Sequence, residues 1–134
     1  MSYTIKYIKN KNIVCIRGDG YLKKEDYMKA SIELVDLLKK YDSQRLFVDD
    51  RSLHNKASVI DLYNLAKFFH EIGLPVNCKI AILIGENTPN TKDIVFFETV
   101  CFNRGYNVRV FKTKNKVIKW LTESTKKIIS KNMY

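Results

Sequence analysis

Apolar and polar positions along the chain change their period several times, and each change marks an element. Tyr3 to Ile8 and Asn12 to Arg17 are short β-rich runs separated by the polar stretch Lys9-Asn10-Lys11-Asn12, which predicts a β-hairpin. Gly18-Asp19-Gly20 predicts a break after the second strand. From Leu22 to Tyr41 the period becomes helical. Met28, Ile32, Val35 and Leu38 make one stripe, widened by Leu34 and Tyr41. Glu25 and Asp26 fall in its first turn, where the helix dipole favours anions. Arg45-Leu46-Phe47-Val48 reads as a buried strand entering a polar loop at Asp49-Asp50-Arg51. A second helix is predicted from Ser58 to about Ile72, closed by Gly73 with Pro75 just beyond. Its apolar positions cover more than half the circumference, so it is either deeply buried or offers a face to something else.

Lys79 to Gly85 is the clearest buried strand. In the loop that follows, Thr88 with Pro89, or Thr91 alone, can cap a third helix running to about Arg104 and stopping at Gly105. Asn107 to Phe111 is a last strand, and Thr113 caps a helix carrying Val117, Ile118, Trp120 and Leu121. The order ββαβαβαβα predicts a single-domain α/β fold. Its sheet is mixed and mostly parallel, flanked by helices, with one antiparallel strand from the hairpin. Residues 1–123 form the expected domain, and 124–134 a basic helical extension or frayed tail.

The chain length of 134 residues supports a core without metal or disulfide staples. A hydrophobic content of 46% excludes disorder as the main state. Apolar runs stay short of the ~20 residues that span a bilayer, and the N-terminal residues lack a signal-peptide pattern, so the expected location is the cytoplasm. The net charge of +10 is concentrated late in the chain: residues 112–131 hold seven lysines and one acid. Only five of the 24 cations are arginine. Base-reading sites favour arginine, so no specific nucleic-acid partner is expected, and a solvated basic face explains the charge. Cys15, Cys78 and Cys101 are well separated and lie among apolar neighbours, as small buried hydrophobes do in a reducing compartment. Neither His54 nor His70 has metal-ligand spacing to a cysteine or carboxylate pair, and no metal or cofactor is expected.

Candidate chemistry lies after two strands. Asp49, Asp50, Arg51 and Ser52 follow the first central strand, the usual place for a ligand crevice in an open α/β sheet. Adjacent carboxylates suit Mg²⁺ or a perturbed proton, whereas an ion pair with Arg51 is the plainer alternative. Gly85, Glu86, Asn87 and Thr88 follow the next strand, where they can form an anion nest or a simple capping turn. Phosphate-loop, dinucleotide and serine-hydrolase signatures do not occur.

Taken with the element order, Arg45-Leu46-Phe47-Val48-Asp49-Asp50-Arg51 and the closing segments Phe97 to Phe111 and Val117 to Leu121 resemble the STAS-like anti-sigma factor antagonist group. The resemblance is strongest to its SpoIIAA-like branch and spans roughly residues 3 to 122. It implies a non-enzymatic interaction module with a protein partner such as a kinase or an anti-sigma-type regulator. In regulatory members a Ser or Thr at the start of the second helix is phosphorylated. Here that position is Ser58, the candidate phosphoacceptor. It stands in Lys56-Ala57-Ser58-Val59 rather than in an Asp-Ser-x-Gly motif. A hydroxyl at a helix start tolerates a phosphate, and equally serves as a plain N-cap. The expected working surface runs from Asp49 to Ser58. The alternatives are a small-molecule sensor, with an apolar pocket under the second and third helices or an anion site, and a homodimer made through the second helix.

Overall fold

The computed structural model describes residues 2–54, 59–86 and 91–123. Five strands and four helices alternate after an opening hairpin. Strand β1 (Ser2–Ile8) pairs antiparallel with β2 (Ile13–Gly20) across a 3₁₀ turn at Lys9–Lys11. Asn12 closes that turn in the left-handed region at φ 53°, which its short polar side chain tolerates better than most residues. Its Oδ1 accepts a 2.6 Å hydrogen bond from Tyr7 Oη, and its carbonyl accepts one of 2.6 Å from Ser43 Oγ. Tyr7 also stacks on Tyr41 with ring centroids 3.8 Å apart. The hairpin is thereby tied to the end of helix α1 (Lys24–Lys40).

Strands β3 (Arg45–Leu53), β4 (Lys79–Leu83) and β5 (Asn107–Phe111) add in parallel, so the sheet order is β1-β2-β3-β4-β5. This is the predicted ββαβαβαβα order and mixed, mostly parallel sheet. Successive side chains of a strand point to opposite faces, and two cores result. On one face Val14, Ile16, Leu46, Ile80, Ile82 and Val108 meet buried residues of α1, α2 (Val59–Glu71) and α3 (Thr91–Asn103). On the other Ile13, Cys15, Phe47, Ala81 and Leu83 meet Val117, Trp120 and Leu121 of the short helix α4 (Lys114–Leu121). Thr113 caps α4 by accepting from the backbone N–H of Lys116. Gly73 and Gly105 adopt φ 83° and 87° where α2 and α3 end, as their positions in the sequence predict.

Three local expectations are corrected. Helix α1 buries Ala30, Ser31, Leu34, Val35 and Leu38, whereas Met28 and Ile32 of the predicted stripe are exposed. The row through small Ala30 and Ser31 lets the helix lie close to the sheet, and Ser31 Oγ satisfies itself on the Tyr27 carbonyl at 2.7 Å. Gly18-Asp19-Gly20 does not end β2 but continues it. Likewise Asp49, Asp50, Arg51 and Ser52 are not loop residues but the continuation of β3 as far as Leu53. The pairing shows how this is accommodated. Arg17 pairs with Asp49 and Asp19 with Ser52, so β3 carries one extra residue there, a β-bulge. Ser58, Asn87, Thr88 and the basic segment 124–134 lie outside the described residues.

Candidate functional site

The bulge sits at the C-terminal end of β3, where a parallel sheet places its ligand crevices. It also decides which side chains meet. Leu46, Val48 and Asp50 share the face under α1, α2 and α3. Leu53, three residues beyond Asp50, would face away in a regular strand, yet the extra residue returns it to the same side, and Asp50 and Leu53 line one cavity.

Asp49 and Asp50 therefore part company. Asp49 is buried on the α4 side and is held by its neighbour two residues on. Arg51 Nε donates to Asp49 Oδ1 at 3.0 Å, Arg51 NH2 donates to Oδ2 at 2.8 Å, and the Arg51 backbone N–H donates to Oδ1 at 3.2 Å. Burial pushes the Asp49 carboxyl up, but these side-chain and backbone bonds outweigh it, so the group is held below the usual carboxylate range. Among the described residues Asp50 has no such partner. Burial, reinforced by the charge of Asp49, pushes it up to about 7. The two carboxyls lie on opposite faces of one strand, which is not the arrangement of a shared metal or acid–base pair. Among the described residues no cluster of three or more His, Cys, Asp or Glu side chains is placed to hold a metal ion.

The cavity on the Asp50 side has a volume of about 140 Å³. Ile16, Val48, Leu62, Leu65, Phe69 and Phe97 supply most of its apolar wall, and Tyr27, Asp50 and Asp93 its ionisable groups. Burial, then the charges of Asp50 and Asp61, raise the Tyr27 phenol above its ordinary value, so it stays protonated. Leu22, Tyr27, Leu62 and Leu65 also border a groove of about 340 Å³ between α1 and α2, so cavity and groove share a wall.

A solved structure with a similar fold is an uncharacterized protein of the DUF3478 family from Shewanella loihica PV-4, described as having a SpoIIAA-like fold. It is 15% identical, covers 90% of this chain and 92% of its own, and superposes with a TM-score of 0.59. This chain has a SpoIIAA-like fold. A weaker likeness, with a TM-score of 0.42, is to a chain in the crystal structure of the complex between diguanylate cyclase SiaD and its activator SiaC from Pseudomonas aeruginosa. It is 14% identical over 84% of this chain and 93% of that one. No family model matches the chain, and no curated protein matches it either.

Within the SpoIIAA-like fold the predicted site residues separate. Asp49 and Arg51 form an ion pair on the α4 face. Ser52 is half-buried, and its Oγ accepts a 3.0 Å hydrogen bond from Arg17 NH2. Among the described ones, Asp50 alone lines the cavity. Of the expected anion nest, Gly85 is half-buried and Glu86 exposed, whereas Asn87 and Thr88 lie outside the described residues. Reading β3 as ending at Val48 hid the meeting of Asp50 with Tyr27, Leu53 and Asp93 around one space. The signal that could have found it is the period of two running Leu46, Val48, Asp50.

The remaining exposed feature is apolar. On α2, Ile60 is 71% exposed and Tyr63 is also on the surface. On α3 the same holds for Val95, Phe96 and Phe102, the last at 73%. Arg104 stacks over the Tyr63 ring at 5.0 Å and links the end of α3 to α2. The all-round apolar α2 of the sequence is thus both buried and outward-facing. No helix among the described residues is long and apolar enough to cross a membrane.

Proposed function

We propose that this chain is a non-catalytic regulatory module that docks a protein partner on the α2–α3 surface, next to the end of β3. The observation that carries this reading is the exposure of Ile60, Tyr63, Val95, Phe96 and Phe102 on two adjacent helices. Leaving several large apolar side chains in water on two adjacent helices is a feature of interaction surfaces rather than of plain solvated ones. The stretch from Asp49 to Ser58 leads into α2, so a phosphate added at Ser58, or at Ser52 beside Arg17, changes the charge at the edge of that surface. Such a change would gate docking.

The test is affinity capture with the wild-type chain, Phe102→Asp and Ser58→Asp, followed by binding measurements on the captured partner. Phe102→Asp is expected to weaken binding by about tenfold or more, in line with loss of a central aromatic contact. Ser58→Asp is expected to change it in either direction. Unaltered binding by both variants overturns the docking surface, and unaltered binding by Ser58→Asp alone overturns the gate. Sedimentation that shows a dimer, dispersed by Phe102→Asp, reassigns the face to a second copy of the chain.

A second reading is favoured by one specific observation, the cavity beneath α2 and α3. It would make the chain a small-molecule sensor, with a bound ligand setting how α2 sits on the sheet. Native mass spectrometry of the purified protein tests it through co-purifying ligand.

A further inference from the structure

We propose that the cavity under α2 and α3 takes a small organic amine, its apolar body between the sheet and the helices and its ammonium group against the Asp50 carboxyl. The inference rests on the second reading above and names the ligand class that reading leaves open.

Three observations lead there. The first is size. A cavity of about 140 Å³ is close to the engineered apolar cavities of ~150 Å³ that hold benzene, so a single ring or a short branched chain fits. The second is the wall. Ile16, Leu34, Leu46, Ile80, Ile82 and Ile94 present only carbon to the space, which suits a body without hydrogen-bonding groups. The third is the sign of the polar groups. Asp50 from β3, Asp93 from α3 and the phenol of Tyr27 from α1 line the cavity, and among the described residues no lysine, arginine or histidine does. An anion would meet two acids without a cation to offset them. A neutral body would leave the Asp50 carboxyl unpaired, for among the described residues no cation or hydrogen-bond donor is paired with it. A cation fills that deficit, and a charge-assisted bond in a partly dry site is the strong kind. The groove between α1 and α2, bordered by Lys24, Asp61, Lys67 and Glu71, gives a longer substituent a way out to water.

The inference carries its own pH signature. Asp93 on α3 and the Tyr27 phenol on α1 line the cavity with Asp50; Asp49 lies on the opposite face of its strand, and Asp61 on α2 borders the adjoining groove and acts on Tyr27. Burial first, and then the charge of Asp49, keeps the proton on Asp50 toward neutrality, and an ammonium group must displace that proton. Amine binding therefore tightens as the pH rises between about 6 and 8, and it releases a proton on the lower side of that range.

The experiment titrates the full chain with three probes of one skeleton: phenethylamine, phenethyl alcohol and phenylpropanoate. Calorimetry and amide chemical shifts read binding between about pH 6 and pH 8. The amine is expected to bind at least about tenfold more tightly than the alcohol, the carboxylate weakest of the three, and the amine's advantage to grow with pH. Asp50→Asn is expected to bring the amine down to the affinity of the alcohol and to flatten the pH dependence. Equal affinity for amine and alcohol on the wild-type chain overturns the amine and leaves the apolar pocket standing. An unchanged amine affinity in Asp50→Asn does the same. Failure of all three probes to bind the wild-type chain overturns the pocket reading together with the amine. Should Asp50→Asn fail to fold, the probe ranking and the pH dependence of the wild-type chain decide the matter.

Discussion

Replacing Asp50 by asparagine isolates the energetic cost of keeping a carboxyl in the cavity. The substitution preserves shape and removes the charge. In the unfolded chain the carboxyl ionises near its ordinary value of 3.8, whereas in the fold burial and the charge of Asp49 push it up to about 7. Between those values the unfolded chain has lost its proton and the folded one has kept it. Stability therefore falls as the pH rises through this window, and the full cost is present above it. A tenfold change in proton affinity is worth about 1.4 kcal/mol, which sets a ceiling of about 4 kcal/mol at pH 8. Water reaches the half-buried carboxyl and screens it, so about 2 kcal/mol is expected. The neutral amide of the variant has no such cost. Urea unfolding of both proteins across this range should show Asp50→Asn gaining on the wild type by that amount. For a chain of this length the gain corresponds to about 7 °C in Tm. The opposite contribution of Asp49, lost only as the pH falls below the ordinary carboxylate range, is common to both proteins and cancels in the difference. Parallel pH profiles would falsify the reasoning, because Asp50 would then be ionised throughout.

Two further outcomes follow from groups away from the cavity. Lys79 is buried, donates from Nζ to the Trp120 carbonyl at 3.0 Å and lies 5.2 Å from the centre of the Trp120 ring; Lys79→Met keeps the stem but removes that bond and the ring contact, leaving the carbonyl to the Glu123 backbone N–H at 3.3 Å, and a loss of about 1 kcal/mol is expected in thermal unfolding. A Tm equal to that of the wild type would mean that the lysine does not hold α4 to the sheet. Burial pushes the thiols of Cys78 and Cys101 up to about 12, so neither should react with Ellman's reagent in the native protein at pH 8, and both should do so in urea. Rapid modification of either in the folded state would contradict their placement in the core.

What could be read from the residues depended on whether one interaction or a choice between equals determined the outcome. Asn107–Phe111 with Thr113 and α4 is a strand, a cap and an amphipathic helix in immediate succession, and each is fixed by local chemistry. Helix α1 was legible as a helix but not in its rotation. The row through Met28 and Ile32 and the row through Ala30, Leu34 and Leu38 are both apolar, and only packing against the sheet chooses between them. Acidic residues in Asp49-Asp50 normally argue for a loop, yet a bidentate bond from Arg51 and a bulge keep β3 going to Leu53. Nothing in their adjacency reveals that the two aspartates serve opposite faces. The apolar faces of α2 and α3 allow a pocket beneath them to be expected, but not its acidic lining, since Tyr27, Asp50 and Asp93 come from three elements and meet only once the layers close.

The strands lie side by side in the order in which they occur along the chain. Each new strand finds its neighbour already placed, and no gap in the sheet waits for a segment not yet made. A chain emerging from the ribosome can therefore assemble from its beginning, adding one strand–helix step at a time. Most of its pairings join consecutive segments, a topology that shortens the search for the native state. Among the described residues α4 reaches back across β5 to β4 and β3, so the second face is sealed only after the strands it covers are in place.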